Sequence, residues 1–561
     1  MFSSYTPTNP TYKYALYIGV PSLAVAGFCY YRYRNNNKSS SDNSPDTLKP
    51  EESPAEVKPM PVPNTAKTLK ESGNKLFKIG NYTEALELYS KAVELCDEED
   101  KEALEQLYQN RAAVFEKLGD YTAVIKETTA ALKRNPKYVK ALHRRSKAYK
   151  ATGFLEESLE DITAVCILEQ FSSPVSVQLA DDVLKELGAL EGTRLMRARD
   201  TEGKGVNPSK HTCITYLRGF YNCPISKILT GREELPSGDE CPYITALSTL
   251  IPSPNSPSSF DSIIPLTTTQ IETYNSYKTE SHYLRGSFRF LYGHTSPATL
   301  EDFEYVIKHT TDKAVKATAL VKLASHYALV GQEKECEDCF EEAAKVWPDN
   351  VDLWHHKGQI LLTRNNLPDA LAHLSKAAEL EPGYAIANAT KWYVQYRILG
   401  GSGDIPGADQ CVREFENLVR KFGDSPDVFS LYGQILMENQ RFAEAELHFS
   451  RVAELDKTNA GVLVHRAMAK YQQNGDVEEA IKVLEEAVNV DERNEFVYET
   501  LGTLHLQNGS LDPAIKYITR AVKLARSVQE LTILSSLLKA AEVQKKVRDN
   551  LGLEVQPGFF K

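Results

Sequence analysis

The chain has no second long apolar run, no net positive charge, no regular cysteine spacing and no catalytic signature, and each absence removes a class of protein. One stretch alone, Tyr14 to Tyr31, is free of charge and long enough to approach a bilayer span, which excludes a multispanning membrane protein. The net charge of −11 argues against a nucleic-acid binder, which would carry a basic domain. Nine cysteines (Cys29, Cys96, Cys166, Cys213, Cys223, Cys241, Cys336, Cys339 and Cys411) are odd in number and irregularly placed, so they describe no oxidative framework and point to a reducing compartment. Cys336 and Cys339 have CxxC spacing, but Cys336 takes a small-residue packing position and no second CxxC or histidine pair follows, so both are expected to be structural. There is no GxxxxGK[ST] loop, GxSxG elbow, HExxH pair or kinase motif set. The chain is therefore expected not to be an enzyme, with no catalytic residue, cofactor or metal. His355-His356 on a repeat helix reads as surface or packing rather than ligation.

Helical repeats fill the space a catalytic domain would need. A chain of 561 residues exceeds one hydrophobic core and must divide into domains or continue as a solenoid. Gly73, Ala85, Tyr89 and Ala92 occupy positions 8, 20, 24 and 27 of the tetratricopeptide pattern, where small residues let two helices approach and an aromatic fills the groove. The pattern returns with Ala112, Gly119, Tyr121, Ala131 and Pro136, then with Ser146, Tyr149, Gly153 and Ser158. A second array starts with a poorly matching repeat at Gly286. It continues through Ala324 and Gly358, 34 residues apart, and through Gly433, Ala467 and Gly502 at spacings of 34 and 35. Tyr384 to Phe422 is a degenerate repeat carrying the insertion Gly400-Gly401-Ser402-Gly403-Asp404. Leu531 to Leu551 is expected to be an end helix covering the last apolar face. The fold class is all-α: a tetratricopeptide-repeat α-solenoid in two arrays, with one N-terminal transmembrane helix.

Between the arrays, from about Leu190 to Gln270, the pattern breaks. Pro252, Pro254, Pro257 and a serine-rich stretch suggest an irregular connection with a mobile loop. Whether Thr212 to Tyr221 forms a helix between the arrays is left open by the sequence. At the other end, Lys13 precedes the apolar stretch and Arg32, Arg34 and Lys38 follow it, with Tyr14, Tyr17, Tyr30, Tyr31 and Tyr33 near the interfaces. The heavier basic flank lies C-terminally, which keeps the bulk of the chain cytosolic. Pro21 is tolerated in a membrane helix. From Asn35 to Pro63 the chain is too polar to bury a core and reads as a tether.

The first three repeats carry a candidate site. Lys70, Asn74, Asn110, Lys140 and Arg144 all fall in first helices of successive repeats, so stacking brings them to one concave wall. Three cations and two amides converging there suit a peptide's C-terminal carboxylates. Residues 66–150 hold 17 Lys plus Arg against 13 Asp plus Glu, so this block is electropositive while the chain is not. Arg145, beside Arg144, is a candidate secondary contact.

Lys70-Glu71-Ser72-Gly73-Asn74, Asn110-Arg111-Ala112-Ala113 and Lys140 with Arg144 resemble the motif of the two-carboxylate-clamp tetratricopeptide domains, which receive the acidic C-termini of cytosolic heat-shock chaperones. The order of parts across nearly the whole chain resembles the family of 70 kDa import receptors of the mitochondrial outer-membrane translocase. That resemblance implies docking of chaperones of the 70 and 90 kDa classes and receipt of mitochondrial precursor proteins with internal targeting signals of the carrier type. It also implies transfer to other translocase subunits at the mitochondrial outer membrane. The expected layout is a short segment across the membrane (1–13), an anchor and basic flank (14–34, spanning at 14–31), a tether (35–65) and a chaperone-docking clamp (66–171). A helical or irregular connection with a mobile loop (172–278), a precursor-binding array of about seven repeats (279–528) and a capping helix and tail (529–561) complete it. Precursor-contacting residues are not assignable from the sequence. The alternative is a membrane-tethered co-chaperone or scaffold at another organelle without an import role.

Overall fold

The computed structural model describes residues 65–202, 205–236, 240–251, 260–292 and 297–554. The expected anchor, the tether up to residue 64 and the Pro252–Pro257 stretch lie outside the described residues. Among the described residues all regular structure is helical, and no helix is long and apolar enough to cross a membrane. The chain forms two compact units. One gathers the described residues up to Leu195, His505–Lys516 and those from Leu531 on; the other comprises Met196–Leu504 and Tyr517–Glu530.

The first unit opens with three helix pairs: α1 (Ala66–Lys78) with α2 (Tyr82–Leu95), α3 (Lys101–Leu118) with α4 (Tyr121–Arg134), and α5 (Val139–Ala151) with α6 (Leu155–Leu168). Local chemistry sets their ends. Thr65 and Thr68 form a reciprocal capping box at the start of α1, and Asp100 and Asp120 accept the amides of Ala103 and Ala123 at the starts of α3 and α4. Gly119, at φ +77°, makes the left-handed turn between α3 and α4. Close packing follows the small-then-large pattern. A Cβ on Gly73 would lie 2.6 Å from Cε1 of Tyr89, so only glycine lets α1 settle on that ring.

Next comes α7 (Pro174–Glu202), a 29-residue helix that runs on into the stretch from about Leu190 where the repeat pattern breaks. Its small residues Gly188 and Gly192 lie against the C-terminal helix Val528–Leu551. A Cβ at Gly188 would fall 1.9 Å from Oγ of Ser536, and one at Gly192 would fall 2.7 Å from the Thr532 amide nitrogen. Val543 and Val547 of the C-terminal helix are buried in one apolar cluster with Leu159, Ile162, Val165 and Val183. Lys539 and Lys546 pair with Glu156 and Glu160 of α6 at 2.9 and 2.6 Å. The helix expected to cover the last apolar face thus lays its own apolar face on α6 and α7, in the unit of the first three pairs.

The second unit repeats the same pairing, beginning with Lys278–Leu291 against Pro297–His309 and running through Lys313–Val330, Val351–Thr363, Pro426–Glu438 and Ala460–Asn474 with their partners. Glycine against a large side chain recurs, with a Cβ on Gly358 or Gly433 falling 2.6 Å from Leu374 or Phe449. The Gly400 insertion is not a loop. It extends Ala385–Ser402 to 18 residues, Gly403 ends that helix at φ +79°, and Asp404 caps Ile405–Lys421 by accepting the Gly407 amide. The stretch expected to be irregular contains Lys210–Arg218 and Pro224–Leu229, and Cys213, Tyr216, Leu217, Phe220 and Cys223 are buried with Tyr283, Phe288, Leu320 and Phe340 in this unit's core. Cys336 and Cys339 are buried, with thiol pKa values pushed up to about 11 and 12 by burial, and act as packing groups.

Candidate functional site

Each first helix of the opening three pairs presents two polar residues four apart, which places them on one helix face. They are Lys70 with Asn74 on α1, Gln106 with Asn110 on α3, and Lys140 with Arg144 on α5. Hydrogen bonds lace these faces together. The Lys70 ammonium donates to Gln106 Oε1 at 2.8 Å, and Asn110 Nδ2 donates to Asn74 Oδ1 at 3.1 Å. Gln109 Nε2 donates to the Lys140 carbonyl at 3.1 Å, and Arg144 reaches back to α3, pairing with Glu116 at 2.6 Å and meeting the Gln109 carbonyl at 3.4 Å. The structure thus joins Asn74 directly to Asn110 and sets Lys70 and Arg144 against the flanks of α3. Lys140 is exposed, with its carbonyl rather than its ammonium engaged.

The network fixes what each group can offer. Tyr89 donates to Asn74 Oδ1 at 2.7 Å, and burial pushes its pKa up to about 12, so the hydroxyl keeps its proton. With Tyr89 and Asn110 both donating to that oxygen, the Asn74 amide has one orientation, and its NH₂ group is turned outward as a donor. Arg144 carries five N–H donors, of which Glu116 and Gln109 engage two, so a ligand carboxylate can share or displace Glu116.

Arg145, expected as a secondary contact, is corrected to a structural role. Adjacent helical residues point about 100° apart, and Arg145 faces inward, where Nε and one NH₂ group bind Asp161 at 2.7 Å each. Arg111 does the same with Glu127 at 3.1 Å, and in the second unit Arg285 pairs with Asp302 at 2.8 Å. In all three the arginine precedes the small residue (Ala112, Ser146, Gly286) and its acid follows 16 or 17 positions later, a period readable in the sequence. Gln106 and Tyr89 were also missed as site residues. Gln106 was findable by its offset of four from Asn110, whereas Tyr89 had been accounted for as packing alone.

His355 and His356 are buried in the second unit, and burial lowers the His355 pKa to about 3, so both act as neutral packing and hydrogen-bonding groups. Among the described residues no group of three or more His, Cys, Asp or Glu side chains is arranged to hold a metal.

Helix pairs stacked in register with a polar, cation-bearing face define a tetratricopeptide-repeat binding protein. Tetratricopeptide-repeat family models match residues 337–385, 461–494 and 497–528, and the model of anaphase-promoting complex subunit 5 matches residues 283–355. The chain is 30% identical over 577 residues to the human mitochondrial import receptor subunit TOM70, covering 97% of this chain and 93% of that protein. It is also 34% identical over 147 residues, 25% of this chain and 37% of the other, to the Hsp70/Hsp90 co-chaperone CNS1 of Saccharomyces cerevisiae. The crystal structure of yeast Tom70 shares the fold, with a TM-score of 0.51 at 23% identity over 87% of this chain and 98% of that one. The chain belongs to the mitochondrial import receptor TOM70 family. It is a receptor and not an enzyme.

Proposed function

We propose that this protein is an import receptor of the mitochondrial outer membrane, anchored by its N-terminal segment, with the bulk of the chain facing the cytosol. It docks heat-shock chaperones of the 70 and 90 kDa classes through their acidic C-termini and takes over mitochondrial precursors with internal, carrier-type signals for transfer to the translocase. The observation that carries this reading is the resemblance to a named import receptor along 97% of the chain, which a generic repeat scaffold would not give. The first three repeats form the docking clamp, with Lys70, Asn74, Asn110, Lys140 and Arg144 as ligand contacts, and the repeats from Lys278 on serve precursors.

The clamp assignment is supported by chemistry. A C-terminal aspartate offers two carboxylates, and the outward Asn74 amide, the exposed Lys140 and the spare donors of Arg144 supply charge-assisted bonds of ~1.5–3 kcal/mol each. Calorimetric titration of the detergent-solubilised full chain with an acidic chaperone C-terminal peptide tests it. Arg144→Ala should weaken binding about 10- to 100-fold. Its thermal stability should hardly change, because the lost Glu116 pair is partly exposed and contributes ~1 kcal/mol or less. Equal affinity in wild type and variant would remove Arg144 from the site.

A further inference from the structure

The segment 205–235 interrupts the repeats in sequence, yet in its unit it lies along the first helices of later repeats as a bound peptide would. The Gly219 carbonyl accepts from the Tyr384 hydroxyl at 2.7 Å and from His356 Nε2 at 3.1 Å, which fixes the His356 proton on Nε2 because a carbonyl only accepts. The amides of Tyr221 and Asn222 donate to the two carboxylate oxygens of Asp352 at 2.5 and 2.8 Å, and Asn222 Nδ2 donates to Asn350 Oδ1 at 3.1 Å. Between them the Phe220 ring stacks on His356 at 4.1 Å, with the Lys322 ammonium 3.9 Å from its centroid. Upstream, His211 pairs with Asp456 at 3.3 Å.

Four of these bonds go to main-chain atoms, so the groove reads a backbone turn and one aromatic side chain, with little regard for the rest of the sequence. The fit is also incomplete. Lys322 Nζ, Asn350 Nδ2 and His355 Nδ1 are buried there without a hydrogen-bond partner, where native interiors leave few such atoms. A groove made to hold only this segment would satisfy them; one that accepts many peptides need not.

We propose that Asn350, Asp352, His356 and Tyr384 form the client-binding groove of this unit and that Gly219–Asn222 is a resident pseudo-ligand. An incoming non-native peptide displaces it, placing an aromatic side chain at the Phe220 position and its own main chain on the same partners. This rests on the precursor-receptor reading above and names the groove it requires.

Hydrogen–deuterium exchange of the full chain in detergent, with and without a urea-unfolded multispanning carrier precursor diluted into the sample, tests the displacement in the wild type. The amides of Tyr221 and Asn222 should exchange at least about tenfold faster in the complex, while Val351–Thr363 keeps its protection. Unchanged or greater protection at 221–222 with the precursor bound overturns the inference and leaves the receptor reading standing. Failure of the precursor to bind overturns both. Asn222→Ala loosens the segment without altering the groove, so precursor affinity should rise by up to about tenfold. Weaker precursor binding by a folded Asn222→Ala chain would show the segment to be part of the client site and overturn the displacement.

Discussion

Lys322→Met should stabilise the unit that contains it, and the size and pH dependence of the gain follow from the structure. Lys322 is fully buried, with its ammonium 3.9, 4.0 and 5.4 Å from the ring centroids of Phe220, Tyr216 and Tyr283 and no hydrogen-bond acceptor. Burial pulls its pKa from 10.5 to about 8, against the opposing pull of Cys223 and Asp352. At ~1.4 kcal/mol per pH unit this depression corresponds to about 3 kcal/mol against the charged form. Methionine keeps the unbranched stem and removes the charge, so the variant should be more stable by up to about 3 kcal/mol at pH 7. Below pH 8 the lysine is protonated in both folded and unfolded chains and the penalty is present in full. Between pH 8 and 10.5 the unfolded state holds more protons, so wild-type stability from this group rises with pH, while the methionine variant has no such slope. All three tryptophans, Trp347, Trp354 and Trp392, belong to this unit, so urea unfolding followed by their fluorescence reports on it alone. The gap between variant and wild type should close as the pH is raised through that window. A variant less stable at pH 7, or a gap constant with pH, would refute the assignment of a net-unfavourable buried ammonium.

Gly73→Ala should destabilise the first unit by ~1–2 kcal/mol, because pushing the buried Tyr89 ring aside exceeds the ~1 kcal/mol gained in helix propensity. Displacing that ring also frees Asn74, so titration with an acidic peptide should show weaker binding alongside the lower melting temperature. Asp161→Ala leaves the half-buried Arg145 guanidinium without its counter-charge and should cost about 2–3 kcal/mol by chemical denaturation. Peptide affinity of the remaining folded protein should be unchanged, separating Arg145 from the clamp. Gly192→Leu drives a side chain into the Thr532 backbone and should lift the C-terminal helix from α7, seen as new proteolytic cleavage within residues 531–551.

The repeats were legible because their code is local. Gly73 with Tyr89, Gly358 with Leu374 and Gly433 with Phe449 are each 16 residues apart, and a small residue opposite a large one is visible without any knowledge of the fold. The polar pairs four apart on first helices were legible for the same reason. What escaped the reading depends on partners far along the chain. The approach of Gly188 and Gly192 to Thr532 and Ser536 joins segments more than 330 positions apart, so the sequence shows a connection there and an end helix later without showing that the two pack together. Asp352 meets the Tyr221 amide across 131 positions, and a carboxylate bound to main-chain groups leaves no trace in the residue types it touches. Arg145 was misplaced by adjacency in sequence, although the helix turns it away from Arg144 and the recurring arginine–acid period marked its true partner.

The two candidate sites use opposite physics, which bears on how one chain can serve both a chaperone and its cargo. The proposed clamp would read charge with partly exposed side chains, and its groups already have solvent or neighbouring side chains as partners, as Arg144 has Glu116. It can therefore stand empty. The groove around Asp352 cannot stand empty and dry, since burial raises the Asp352 pKa to about 7 even with the Tyr221 and Asn222 amides and the Lys322 charge opposing it, and its polar neighbours need hydrogen bonds. With Gly219–Asn222 in place those needs are largely met by the chain itself. A client peptide then exchanges one set of main-chain hydrogen bonds for an equivalent set, so the net gain is small even where the contacts are many. Modest affinity from an extensive contact suits a receptor that must release each precursor to the translocase, and the same segment refills the groove when the precursor leaves.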